Sequence, residues 1–451
     1  MKSIRLKSLF LLLAGIALVV FLATGSAMAG DKPTIQELTG GKVKPGDVIT
    51  SANVDLVKDL IPDGYYDMVK RGMELPIIEP GHWKTPQFFV DATAKNAGQG
   101  YIDEEDNLRT KGGLFSGEPG GWWDGGVPFP EVSMDDPQAG IKVFYNSIQA
   151  YEGDDFTHDE TNPLYVGSDG KIERTIKMSW DRVYLTAREK LDPKPTYASK
   201  YQNVVFKQFA YVQWPFDLKG FGNLGIRYTD STKQDDSYAY IPAMRRVRRL
   251  ASAQRFDAFV GSDATLGDFR QLDIPTATWK YKLLSKKPML AMMHSGAWSV
   301  TNTDPPVYPP MKPGYKFQNT PWEVVPEIYA VEAMPKDPRD CPIYSKKIVY
   351  IAGIVGDMPM DPNHRTWRTL YSVAYDISGK LMKSCWNSWY GYGEPDKGRG
   401  EADVFYETCY GCYDHQIDHS AAWPVNLPGR SFNVGFTPER FSIGYLQKFG
   451  R

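Results

Sequence analysis

The sequence predicts an α+β protein dominated by β-structure, built on a large curved antiparallel sheet with an apolar hollow face. Three observations predict it. The composition combines 27 Tyr, 21 Phe and 12 Trp, residues that suit pleated surfaces, with 33 Pro and 41 Gly to punctuate turns. From about residue 163 the hydrophobic pattern takes period two, in segments separated by turns and not by helices, which means an antiparallel meander. Finally, Thr369–Tyr375 and Lys380–Trp386 face each other across Asp376-Ile-Ser-Gly379, a hairpin signal.

At the start of the chain, Lys2, Arg5 and Lys7 precede an apolar run from Leu9 to Leu22 and the small-residue site Ala27-Met28-Ala29. This pattern predicts a secretory signal peptide over 1–29, cut after Ala29, and an exported mature chain. The formal charge is −2, and removing three cations and no acid takes it to −5. A mildly acidic exported chain is poorly suited to nucleic acid.

Residues 30–136 read as an irregular and helical N-terminal extension packed on the sheet, and 137–451 as the sheet itself, the two forming one structural unit. Within the extension, Ser51–Leu60 carries a capping serine and helical apolar spacing, and Tyr65–Arg71 reads as a second helix. Gly112–Pro130 is a loop with Gly121-Trp-Trp-Asp124 at its centre. No lysine-serine pair follows its glycines, so a phosphate cradle fails. Asp135-Asp-Pro137 starts a helix whose stripe is Ile141, Phe144, Ile148 and Tyr151. The strands then expected are Thr175–Leu185, Tyr201–Trp214, Phe221–Thr229, Tyr238–Leu250, Tyr281–Leu284, Leu290–Met293, Trp322–Ala333 and Ser345–Ala352.

Four arginines, Arg245, Arg246, Arg248 and Arg249, fall in five positions at the end of the Tyr238–Leu250 strand. They read either as a solvated or salt-bridged edge that discourages edge-to-edge pairing, or as a site for an anionic headgroup or partner, or as a brace for the lid through Asp263.

The ordered set Ile49-Thr-Ser-Ala-Asn53, Asp91-Ala-Thr93, Pro128-Phe-Pro130 and Phe144-Tyr-Asn146 continues with the arginine block, Tyr344-Ser-Lys-Lys347 and Tyr375-Asp-x-x-Gly379. It resembles a family of exported bacterial proteins classed as domain of unknown function 1329, over essentially the whole mature chain. That family is similar to the LolA/LolB outer-membrane lipoprotein-sorting superfamily. The resemblance implies an unclosed β half-barrel with helices covering its concave side. It also implies a periplasmic, non-enzymatic role in binding lipid or lipoprotein acyl chains, alongside an outer-membrane β-barrel protein and an inner-membrane exporter. No catalytic residue and no cofactor carries over. The helix at 137–151 and the loop with Trp122 and Trp123 are the expected cover, with Phe144 facing the cargo.

The cysteines Cys341, Cys385, Cys409 and Cys412 permit three pairings in an oxidising compartment. The expected ones are Cys341 with Cys385 and, locally, Cys409 with Cys412. A rival is a metal or redox site formed by Cys409, Cys412, His415 and His419. A further rival is a structural assembly partner of a membrane complex, its hollow filled by its own side chains. Nucleophilic catalysis finds little support: no G-x-S-x-G elbow occurs, and His294-Ser-Gly296 is a chance adjacency. His82, His158 and His364 sit in polar loop contexts and are expected at the surface.

Overall fold

The computed structural model describes residues 32–112, 121–123, 125–197, 201, 203–293, 316–317, 320–390, 395–396, 400–401, 406–424 and 430–450. The signal-peptide segment, Asp124 and His294–Gly296 lie outside them. Among the described residues, sixteen strands make two large antiparallel sheets that do not close into a barrel. In chain order the first eight are β1 (Asp155–Thr161), β2 (Leu164–Val166), β3 (Ile172–Thr175), β4 (Lys177–Tyr184), β5 (Val204–Trp214), β6 (Gly222–Tyr228), β7 (Asp236–Ile241) and β8 (Arg246–Leu250). The remainder are β9 (Trp279–Ala291), β10 (Glu323–Pro335), β11 (Tyr344–Ala352), β12 (Thr369–Asp376), β13 (Leu381–Tyr390), β14 (Tyr406–Asp414), β15 (His419–Pro424) and β16 (Arg430–Phe432).

The first sheet runs β8-β7-β6-β5-β4-β1-β16 and the second β9-β10-β11-β12-β13-β14-β15-β2-β3. One curved sheet was expected, and the strands divide between two. The join explains why. β1 continues into β2 across Asn162-Pro163, and β3 into β4 across Ile176, so two bent strands turn the corner from one sheet to the other. Proline cannot donate to a ladder. Here its carbonyl instead accepts from the Ile176 N–H at 2.9 Å, which holds the bend.

Tyr238–Leu250 is a hairpin and not one strand. Pro242 interrupts it, Arg245 takes a left-handed conformation (φ 50°), and β8 folds back along β7 with Arg248 opposite Ala239. Tyr281–Leu284 and Leu290–Met293, in contrast, fall on the single long strand β9 and its end, where register shifts at Leu284 and Pro288 mask the alternation.

Four helices bear on the sheets: α1 (Asp63–Lys70), α2 (Gln87–Asn96), α3 (Ala139–Gln149) and α4 (Ile443–Phe449). The Ser51–Leu60 stretch is a 3-10 helix over Val54–Leu60. It packs with α1 on the outer face of the second sheet, in a core of Tyr65, Met68, Trp322, Tyr371 and Val373. The inner face takes α3 and an irregular crossing segment, residues 251–278, that links β8 to β9. The first sheet turns Ala210 and Val212 toward Tyr410 and Trp423 of the second. Its opposite face, with Phe209 and Leu224, is covered by Phe441 and by Leu446 of α4. Helices were expected over the concave side. α2, α3 and the crossing segment lie there, while the earlier part of the extension, with α1, packs on the outer face. Among the described residues no helix is long and apolar enough to cross a membrane.

Candidate functional site

The inner surface of the half-barrel holds two adjoining hollows. The first is lined by α3, by β4, β5 and β6, and by residues 270–276; it spans about 850 Å³ of space that is open to solvent. The second, about 720 Å³ on the same measure, lies between β1 and β4 on one side and β13, β14 and β15 on the other. Its wall is aromatic: Phe156, Trp180, Phe269, Trp389, Tyr410 and Trp423. Glu152 and Arg270 line both.

Strand alternation creates the polar part. On the inner face of the first sheet, Phe206 lies between two guanidiniums, Arg182 at 4.3 Å and Arg227 at 5.3 Å from its ring centre. Arg227 forms a two-point contact with Asp235 (2.6 and 2.8 Å) and a third with Asp273 at 2.8 Å. Arg255 also meets Asp235. Glu152 is shared by Arg270 at 3.0 Å, Arg368 at 3.3 Å and Arg182 at 4.0 Å. Burial alone would raise the Asp273 carboxyl, yet Arg227, Arg182, Arg255 and Arg270 together hold it down to about 2. Burial pushes the Arg368 guanidinium down to about 10, against the pull of Glu152 and with the neighbouring Arg270 charge. None of these arginines stood out in the sequence. Each follows apolar or polar residues without periodicity, and their partners come from distant segments.

The expected site residues are dispersed. Trp122 and Phe144 line the first hollow, and Phe144 stacks on Tyr281 at 4.6 Å. Trp123 is fully buried in the core, its indole N–H donating to the Gly126 carbonyl at 2.7 Å. Arg245, Arg246, Arg248 and Arg249 are exposed on the edge hairpin, and among the described residues only Arg249 of the four meets a carboxylate, that of Asp236. Among the described residues Asp263 pairs with none of them, so no lid is braced through it. It bonds His419 Nδ1 at 2.6 Å, while His419 Nε2 reaches Glu173 at 3.3 Å. Burial would lower the His419 pKa, but these carboxylates raise it overall. His158, expected at the surface, lines the second hollow and stacks on Phe156 at 4.8 Å.

The cysteines are corrected in pairing. β13 and β14 place Cys385 directly opposite Cys412, and these two form the disulfide. Cys409 and Cys412 stand three apart on one strand, so their side chains leave opposite faces and cannot bridge locally. Cys341 and Cys409 are buried thiols. The same alternation dissolves the metal reading: Cys412 is oxidised, His419 faces Asp263, and His415 bonds elsewhere. Among the described residues no group of three or more His, Cys, Asp or Glu side chains is placed to hold a metal ion. Thiol titration of unreduced, denatured protein is expected to find two thiols; zero or four would refute the Cys385–Cys412 assignment.

One arrangement has the look of catalysis. Ser384 Oγ lies 2.8 Å from His415 Nε2, and His415 Nδ1 lies 2.8 Å from Asp67. Burial, opposed by Asp67, lowers the His415 pKa. Nucleophile, base and orienting carboxylate are thus in order. Ser384 is nevertheless fully buried, and Gly64 of α1 packs directly over its Oγ. No acyl group reaches that oxygen. The trio ties α1 to the outer face of the second sheet.

Fold and site together define a class: an unclosed antiparallel half-barrel whose inner side is an arginine-bearing, aromatic hollow. The chain belongs to the DUF1329 family, a protein family of unknown function, whose profile matches residues 48–442. It is similar to a solved DUF1329 family protein from Desulfovibrio piger, with 15% identity and a TM-score of 0.46 over 68% of this chain and 98% of that one. A structure from Vibrio parahaemolyticus described as an outer membrane lipoprotein-sorting protein domain gives 16% identity, a TM-score of 0.45 and coverage of 68% and 98%. A LolA superfamily protein from Nitrosomonas europaea gives 12% identity, a TM-score of 0.36 and coverage of 66% and 94%. No curated protein matches.

Proposed function

We propose that this protein is a non-enzymatic carrier that shelters an apolar molecule, a lipid or an acyl chain, between two membranes. The observation that carries the reading is the pair of adjoining hollows on the inner face, the second walled by aromatic rings. Each methylene buried there contributes about 0.8 kcal/mol, so a chain of them is held without directional chemistry. The disulfide and the signal-peptide pattern support an oxidising, periplasmic setting. The exposed Arg245, Arg246 and Arg248 suit an acidic face on a membrane-complex partner. The hollows count against the rival in which side chains fill the interior.

Two measurements test the reading. Solvent extraction of protein purified from its native host, followed by mass spectrometry, is expected to release an apolar molecule. Ile148→Trp, which projects an indole into the first hollow, is expected to weaken binding of a pyrene-labelled fatty acid at least tenfold. Clean extracts together with no probe binding by the wild type would remove the carrier reading.

A further inference from the structure

The meeting point of the two hollows carries more chemistry than a store for apolar chains needs. Arg270 lines both, and its side chain makes two polar contacts among the described residues, both through Nη2: Glu152 at 3.0 Å and the Ser147 carbonyl at 3.5 Å. Its Nε and Nη1 make no hydrogen bond to the described residues. A guanidinium has five N–H donors in a fixed fork that matches a carboxylate or phosphate.

The surroundings keep Arg270 charged: burial opposes the cation, but Glu152, Asp273 and Glu407 raise its pKa overall. Arg182, Arg227, Arg255, Arg270 and Arg368 face Glu152, Asp235 and Asp273. Glu407, on the wall of the second hollow, adds a fourth carboxylate.

The backbone holds Arg270 in place at a cost. Arg270 and Gln271 both take the left-handed region, with φ 53° and 71°, which side chains other than glycine rarely adopt. The fully buried Gln271 amide fixes the pair, donating to Asn387 at 2.5 Å and accepting from Ser372 at 2.8 Å. Gln271 is thus a positioning residue for Arg270.

We propose that Arg270 receives the anionic head of an amphiphile, a carboxylate or a phosphate monoester, whose apolar body lies along the aromatic wall of the second hollow. This rests on the carrier reading and names its substrate class. The test uses the mature chain, hexadecanoate, hexadecanol and inorganic phosphate in competition with an uncharged pyrene-labelled probe. The wild type is expected to bind the acid at least tenfold more tightly than the alcohol, because a charge-assisted bond is made only by the acid. Arg270→Gln is expected to bring that ratio near one, with its melting temperature recorded alongside. Equal affinities in the wild type, or an undiminished ratio in a folded Arg270→Gln, would overturn the proposal while the carrier reading stands. Failure of the wild type to bind probe, acid or alcohol removes both. Displacement of hexadecanoate by millimolar inorganic phosphate would assign the site to a free anion and overturn the headgroup assignment. The wild-type comparison needs no variant, so misfolding of Arg270→Gln leaves it decisive.

Discussion

Lys347→Met is expected to lower the folding stability by about 3–5 kcal/mol, the cost of leaving a buried charge without its partner. Lys347 and Asp268 have no solvent-exposed side-chain surface and lie 2.7 Å apart. The carboxylate also accepts from Tyr344 at 3.0 Å and from the Thr265 N–H and hydroxyl at 3.0 and 2.9 Å. These bonds pin the crossing segment to the inner face of the second sheet, two residues before Arg270. Burial alone would raise the Asp268 pKa, but the Lys347 and Lys383 charges and its hydrogen bonds bring it below the ordinary value. In the wild type its contribution is therefore present above the ordinary carboxylate range and lost as pH falls through the depressed value. In Lys347→Met burial dominates and the carboxyl's pKa rises, so the deficit should shrink as pH falls. Asp268→Asn combined with Lys347→Met should recover part of the loss, because the buried carboxylate charge is gone while the nearby Lys383 charge stays. Denaturant midpoints across acid and neutral pH measure all three; a Lys347→Met loss below about 1 kcal/mol would show that the pair does not anchor the segment.

That pair also marks where sequence reading stops. Lys347 sits in a strand of alternating pattern, where a lysine reads as solvent-facing, and its partner lies 79 residues away in an irregular segment. Arg270 is hidden for the same reason: its role comes from Glu152 and from hollows assembled by separate strands. What is encoded locally was legible. The β12–β13 hairpin follows from Asp376-Ile-Ser-Gly379, where the Asp376 carboxylate accepts from the Ser378 and Lys380 N–H groups and Gly379 takes φ 80°. The α3 stripe follows from helical spacing. The β7–β8 hairpin was missed although Pro242 announced it, because alternating tyrosines and arginines on either side imitate one strand. Cysteine pairing depended on which residue of β14 stands opposite Cys385, and register is not a local property.

Gly140→Ala is expected to destabilise the protein by about 1–3 kcal/mol, although Gly→Ala within an open helix normally stabilises by up to about 1 kcal/mol. The sign is decided by space. Gly140 lies in the first turn of α3 with a conventional backbone, so alanine meets no conformational penalty there. A Cβ at that position would stand 2.7 Å from the Lys282 nitrogen and the Tyr281 carbonyl carbon, and 2.9 Å from the Leu283 nitrogen, all of them β9 backbone. A side chain could rotate away; a strand hydrogen-bonded to β10 cannot. The helix must therefore lift, and it carries Phe144, Ser147 and Ile148 of the first hollow with it. Gly444 of α4 is the internal control, because a Cβ there meets nothing within 4 Å. Gly444→Ala should hold or raise the melting temperature, while Gly140→Ala lowers it and weakens the pyrene-labelled fatty acid. Equal shifts in both variants would mean that α3 is not seated on β9 at this glycine. A destabilised Gly140→Ala with undiminished probe affinity would separate the seating of the helix from the shape of the hollow.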